Sequence, residues 1–154
     1  MTDNKKVCSY EELLSIIEAS ISENGVFPLV VTGTSMTPTL YSNRDVVHLV
    51  STTCKFPEKY DIVLFKRPDG AVILHRIIKK LPDNKFLING DSQTWTEEIN
   101  FSQIIAVTKS YIKNNKKISC DTISYKIKSA IWCKTRRFRP FLFKLSSILK
   151  SKKR

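Results

Sequence analysis

Residues 31 to 40 read VTGTSMTPTL and set a run of hydroxyl side chains around one glycine, one proline and one methionine, directly after the apolar stretch VFPLVV at 26–31. Two readings of the decapeptide are open. A Ser/Thr/Pro loop of this composition makes an ordinary turn. Alternatively, Ser35 sits at a strand end with its hydroxyl presented for chemistry, Gly33 permitting close backbone approach and Pro38 fixing the chain direction. A serine hydroxyl is a weak nucleophile until a base takes its proton and donors hold the oxyanion that forms. The second reading therefore demands a base elsewhere in the chain.

Outward from this stretch the pattern is that of strands. VFPLVV (26–31), DVVHLV (45–50), YDIVLF (60–65), AVILHRII (71–78) and KFLING (85–90) are short and rich in Val, Ile and Phe, and SNR, RPDG and LPDN separate them. RPDG is a strong turn signal, because Pro68 presets its φ and Gly70 accepts a positive one. FSQIIAVTKSYIK (101–113) predicts one more strand, followed by a polar link NNKK. At the N-terminus, Ser9 and Glu12 form a capping-box pattern ahead of Leu13, Ile16, Ile17 and Ile21 at helical spacing. This predicts a helix from about residue 9 to 24, stopped by Gly25. At the C-terminus Ile123, Ile127 and Ile131 recur every four residues, Pro140 interrupts, and Phe141, Leu142, Leu145, Ile148 and Leu149 line one face of a second helical piece. The expected architecture is mainly β, with an N-terminal helix (1–25), a β-domain (26–118) and a basic amphipathic tail (119–154).

Composition bounds the rest. At 154 residues and 42% hydrophobic content the chain can build a real core. Cys8, Cys54, Cys120 and Cys133 are scattered, with no CxxC pair and no histidine at metal-ligand spacing, so they read as reduced thiols and no metal or other cofactor is expected. The longest apolar run is far below the about 18 residues of a spanning helix, and no export signal is apparent. Net charge is +12, yet residues 122–154 carry eleven Lys and Arg and no Asp or Glu, leaving +1 for residues 1–121. The basicity belongs to the tail.

GTSMTPTL resembles the nucleophile box of type I signal peptidases, a Ser-Met pair followed by Pro-Thr-Leu. NRDVVHLV and KYDIVLFKRPDG are similar to the family's two strand starts, VILHRII to its general-base strand, and INGDSQTWTEEI to its Gly-Asp box. Five boxes stand in the family's order across about residues 27 to 112. The resemblance implies a signal peptidase/LexA-like coiled β-fold, with Ser35 as nucleophile and His75 as general base, as in the histidine-bearing archaeal and endoplasmic-reticulum branch. It implies for Asp91 an acidic role, either orienting His75 or pairing with Arg76, which faces the other side of the strand. Gly33 replaces a serine that donates to the oxyanion in many bacterial members, so the hole would rest on backbone N–H groups, including that of Ser35. An imidazole suits the task, being largely neutral at pH 7 with an unperturbed pKa near 6.5. His48, on an alternating strand, is expected to be structural.

The implied activity is that of a serine endopeptidase cutting a leader, signal or pro-peptide bound in extended form. Its alternative is a LexA-like regulatory or non-catalytic peptide-binding module. The tail, which mixes aromatic, aliphatic and basic residues, suits an anionic membrane surface, packing or partner docking, or nucleic acid with Trp132 or Phe138 stacking on bases. A location in the cytoplasm, at the inner membrane face, is expected.

Overall fold

The computed structural model describes residues 10–141 and 143–144. Helix α1 (Tyr10–Asn24) is followed by strands β1 (Phe27–Val30), β2 (Val46–Val50), β3 (Ile62–Lys66), β4 (Val72–Leu81), β5 (Lys85–Asn89), β6 (Glu97–Asn100), β7 (Ile104–Lys113) and β8 (Lys116–Ser119), then helix α2 (Ile123–Lys134). Gly25, at φ +70°, ends α1 while its N–H donates to the Ile21 carbonyl. Ser9, the expected cap, lies outside the described residues. Gly70 takes a φ of +86° in the β3–β4 turn.

All strands join one antiparallel sheet in the order β1-β2-β7-β3-β4-β5-β6, with β8 pairing β7 beyond the reach of β3. Register shifts within the β2–β7, β3–β7 and β4–β5 pairs bend the ladders and coil the sheet. Alternation then divides the core. Ile62 and Leu64 of β3 face α1 residues Ile17 and Ile21, with Met36 and Leu40; Val63 and Phe65 face Ile77, Phe86, Ile88 and Ile99. A strand buried on both sides reads as a continuous apolar run, which is why YDIVLF does not alternate.

Three expectations need correction. TEEI hides a strand: β6 pairs β5 through Ile88↔Glu97 and Phe86↔Ile99. NNKK is not all link, since Asn114 and Asn115 turn at positive φ while Lys116 and Lys117 begin β8. Pro140 does not interrupt the C-terminal helix; the break is the 3-10 turn Thr135–Phe138, and residues 139–141 and 143–144 are helical again. Leu142, Leu145, Ile148 and Leu149 of the expected second face lie outside the described residues.

Helix α2 packs inside out. Thr122 caps it by accepting from the Tyr125 N–H, and its buried residues are Tyr125 and Ser129. The isoleucine ridge faces away from the domain, Ile123, Ile127 and Ile131 being 77%, 55% and 58% exposed. Phe138 and Phe141 beyond it are exposed as well. No helix among the described residues is long and apolar enough to cross a membrane.

Candidate active site

The decapeptide is a fastened loop. Met36 and Leu40 plug the α1-side core, four residues apart, and the Leu40 N–H donates to the Met36 carbonyl. The Thr37–Pro38 peptide is cis, and Gly33 takes a φ of +76° with open space around it, so the glycine serves conformation and not close approach. Lys113 Nζ donates to the Pro38 and Thr39 carbonyls at 2.6 and 2.9 Å, and the Asn43 and Val31 backbones pair back across the loop. Immediately before the first plug, half-buried Ser35 lines a cavity of about 340 Å³ with Leu13, Leu29, Val31, Met36 and Leu74.

The Ser35 carbonyl is held from the Gly-Asp turn. It accepts the Ser92 N–H at 2.8 Å and the Ser92 hydroxyl at 3.0 Å. Here a glycine is required for close approach: a Cβ on Gly90 would sit 2.9 Å from that carbonyl oxygen and 2.5 Å from Gln93 Oε1. The turn follows β5, whose Asn89 is opposite Arg76, so Ser35 is fixed next to the stretch of β4 that carries His75 and Arg76.

Those two side chains leave β4 on opposite faces. Arg76, 1% exposed, forms a two-pronged pair with Asp91, Nε–Oδ1 at 2.9 Å and Nη2–Oδ2 at 2.7 Å. Its Nη1 donates to the Tyr60 carbonyl, the Tyr125 hydroxyl and Ser129 Oγ. Thr39 Oγ1 donates to the same Asp91 carboxylate. Asp91 thus knits β4, the Ser35 loop and α2, and its carboxylate is engaged by Arg76. Burial pushes the guanidinium toward neutrality, but the Asp91 charge and hydrogen bonds, with Tyr125 and Cys133, together outweigh it and raise the pKa well above the ordinary value.

His75 lies on the other face, 1% exposed, between Phe65 and Trp95, with ring centroids 5.9 and 6.1 Å away. Its enclosed Nδ1 stands 3.3 Å from Glu97 Oε1 and has no hydrogen-bond partner among the described residues. Glu97 also takes Arg67 through both oxygens, at 2.8 and 2.5 Å. Burial lowers the imidazole pKa below 6.5, and the Glu97 charge partly opposes it. No hydrogen bond joins Ser35 to His75 among the described residues. The structure therefore brings Ser35 to the Asp91 turn and Arg76 to Asp91, and leaves Glu97 as the acid that faces the imidazole. Sequence reasoning passed over Glu97, because its place depends on the unrecognised β6. Its signal was the alternation in TEEI, where only one glutamate can share the face of a buried histidine.

His48 is half-buried, its Nδ1 3.1 Å from Ser110 Oγ. Trp132 does not stand free to stack on a base: its Nε1 donates to the Asp91 carbonyl. Cys54, Cys120 and Cys133 are free thiols, and no cluster of metal-ligating side chains occurs among the described residues.

Comparison with known proteins returns the same neighbourhood. The signal peptidase, peptidase S26 family matches residues 13–119. The chain is similar to Signal peptidase I V of Bacillus subtilis (strain 168), 34% identical over 86 residues and covering 51% of each chain. It thus spans about half the length of that relative. No solved structure matches. With the family match covering more than half of its length, the chain belongs to the signal peptidase family, peptidase S26.

Proposed function

We propose that this protein is a serine endopeptidase that cleaves a leader, signal or pro-peptide, with Ser35 as nucleophile and His75 as general base. The observation that carries the reading is the placement of Ser35 on an apolar cavity bounded by two unpaired strand edges. β1 is the outer strand of the sheet, and β4 pairs with β5 only from Arg76 onward, so both Leu29–Val30 and Val72–Leu74 present backbone to one groove. An extended peptide laid there gains ladder hydrogen bonds and places alternate side chains in the apolar cavity. The Ser35 hydroxyl attacks the scissile carbonyl carbon and its proton passes to His75. Backbone N–H groups, that of Ser35 among them, hold the oxyanion, and imidazolium returns the proton to the leaving amine. Ser35 and His75 share no hydrogen bond among the described residues, so the transfer requires substrate binding to bring the imidazole within reach of the hydroxyl. Glu97 stabilises imidazolium, and Asp91 holds the frame through Arg76.

The reading extends to a location in the cytoplasm at the inner face of a membrane, which the free thiols suit. The exposed isoleucine ridge supports contact with an anionic surface.

The test incubates wild type, Ser35→Ala and His75→Ala with small precursor peptides and reads the products by mass spectrometry. Wild type gives new termini, Ser35→Ala gives none, and His75→Ala is slower by roughly two to four orders of magnitude. Identical peptide patterns from all three overturn the proposal.

A further inference from the structure

We propose that the segment after the β-domain is a latch for the nucleophile loop, with Arg139 and Trp132 as positioning residues; this rests on the peptidase reading of Ser35. Residues 90–93 form a tight turn closed by Gln93 N–H to the Gly90 carbonyl. One side of it carries Ser35, through the two Ser92 donors. The other side is covered from the C-terminal segment. Arg139 Nη1 donates to the Gly90 carbonyl at 2.8 Å, the Gln93 carbonyl at 2.6 Å and Asn89 Oδ1 at 2.5 Å. Trp132 Nε1 donates to the Asp91 carbonyl at 3.1 Å, and the Arg139 guanidinium lies 5.1 Å over the Trp132 ring. The carbonyls of residues 90, 91 and 93 are thus all taken by two side chains more than 40 positions later.

The choice of residue is informative. Arg139 is fully buried, and among the described residues its Nε has no partner and no carboxylate is among its hydrogen-bond partners. A buried charge held only by neutral acceptors is a costly way to fill space, and a leucine or methionine would fill it more cheaply. What an aliphatic chain cannot do is donate hydrogen bonds, and here one nitrogen, Nη1, gathers three acceptors of the turn around it while Nη2 reaches back to the Trp132 carbonyl. The Gly90 and Gln93 carbonyls belong to the turn that sets the height of Ser35, and a displacement near 1 Å at a nucleophile is enough to cost about a hundredfold in rate. The latch acts through the turn and touches no substrate.

Trp132→Phe keeps an aromatic ring and removes the Nε1 donor; Arg139→Lys keeps the charge but moves the donors off the guanidinium position; Arg139→Ala removes charge and donors. Each is measured for kcat and KM on a cleaved peptide and for amide hydrogen exchange at Ser92. The latch predicts a kcat lower by about tenfold or more with KM within about twofold, and faster exchange at Ser92 while the β3 and β7 amides stay protected. Arg139→Lys falls between wild type and Arg139→Ala. If Arg139→Ala does not fold, the two milder variants decide. Folded variants with wild-type kcat and wild-type Ser92 protection overturn the latch. Faster Ser92 exchange in a protein whose wild type cleaves nothing supports the latch and defeats the peptidase reading instead.

Discussion

His75 and Arg76 are neighbours on one strand, both almost wholly buried, and their surroundings drive their charges in opposite directions. For His75, burial lowers the pKa and Glu97 restores part of the loss. A base must be unprotonated to act, so the acid limb of kcat/KM against pH is expected to have its midpoint below 6.5. Glu97→Gln removes the restoring charge and moves that midpoint lower still, with a fall in kcat of at most about 10⁴-fold, the loss seen when a triad acid is neutralised. A midpoint that stays put or rises would separate Glu97 from the imidazole. Stability follows the same shift: the unfolded chain binds the proton more readily, so the His75 contribution is present above about pH 6.5 and fades as pH falls toward the folded value. Arg76 is the opposite case, a guanidinium kept charged in the interior by Asp91. Asp91→Ala strands that charge, and the expected loss is about 3–5 kcal/mol of folding stability, read as a lower urea midpoint. An unchanged midpoint would mean that the pair does not hold the frame.

At the scale of elements, what was legible in the sequence depended on whether local pattern or a distant partner decides the outcome. β1 to β5 and β7 are apolar runs between turn residues, and α1 is amphipathic in the ordinary sense, so each was readable from its own residues. β6 and β8 are not: EEIN and KKIS are short, polar edge ladders whose pairing is imposed by β5 and β7. The period of four in α2 announced a helix but not its orientation. Its polar side turns inward because the buried Arg76 needs Tyr125 and Ser129 as acceptors, a demand written 49 and 53 residues earlier. The same division runs through the site. Ser35, His75 and Asp91 stand at positions that the recognisable boxes mark, whereas Glu97 lies in the INGDSQTWTEEI box with its place beside His75 set by β6, and Arg139 reaches the turn from the C-terminal segment with no local motif to mark it.

For the whole molecule, the decisive feature is that the excess basic charge coincides with an exposed isoleucine ridge in the C-terminal region. Residues 1–121 are close to neutral, and the outer side of the C-terminal region carries an isoleucine ridge with exposed Lys126, Lys128, Lys134 and Arg137 around it and no acid after Asp121. A second copy is a poor cover for such a face, since two like-charged rims would meet. An anionic bilayer complements it twice, taking the ridge into the acyl boundary and the rim at the headgroups. Wild type is therefore expected to sediment with phosphatidylglycerol-containing vesicles and far less with phosphatidylcholine alone, and to be partly released by salt, which screens the rim and leaves the ridge. Ile127→Asp with Ile131→Asp changes two exposed positions of α2, so the fold is retained while vesicle binding drops by about tenfold or more. If the double variant binds as wild type does, the ridge is not the contact. Should duplex DNA be bound instead, with a steep salt slope and no response to the isoleucine changes, the basic rim serves phosphates of nucleic acid and the membrane reading falls.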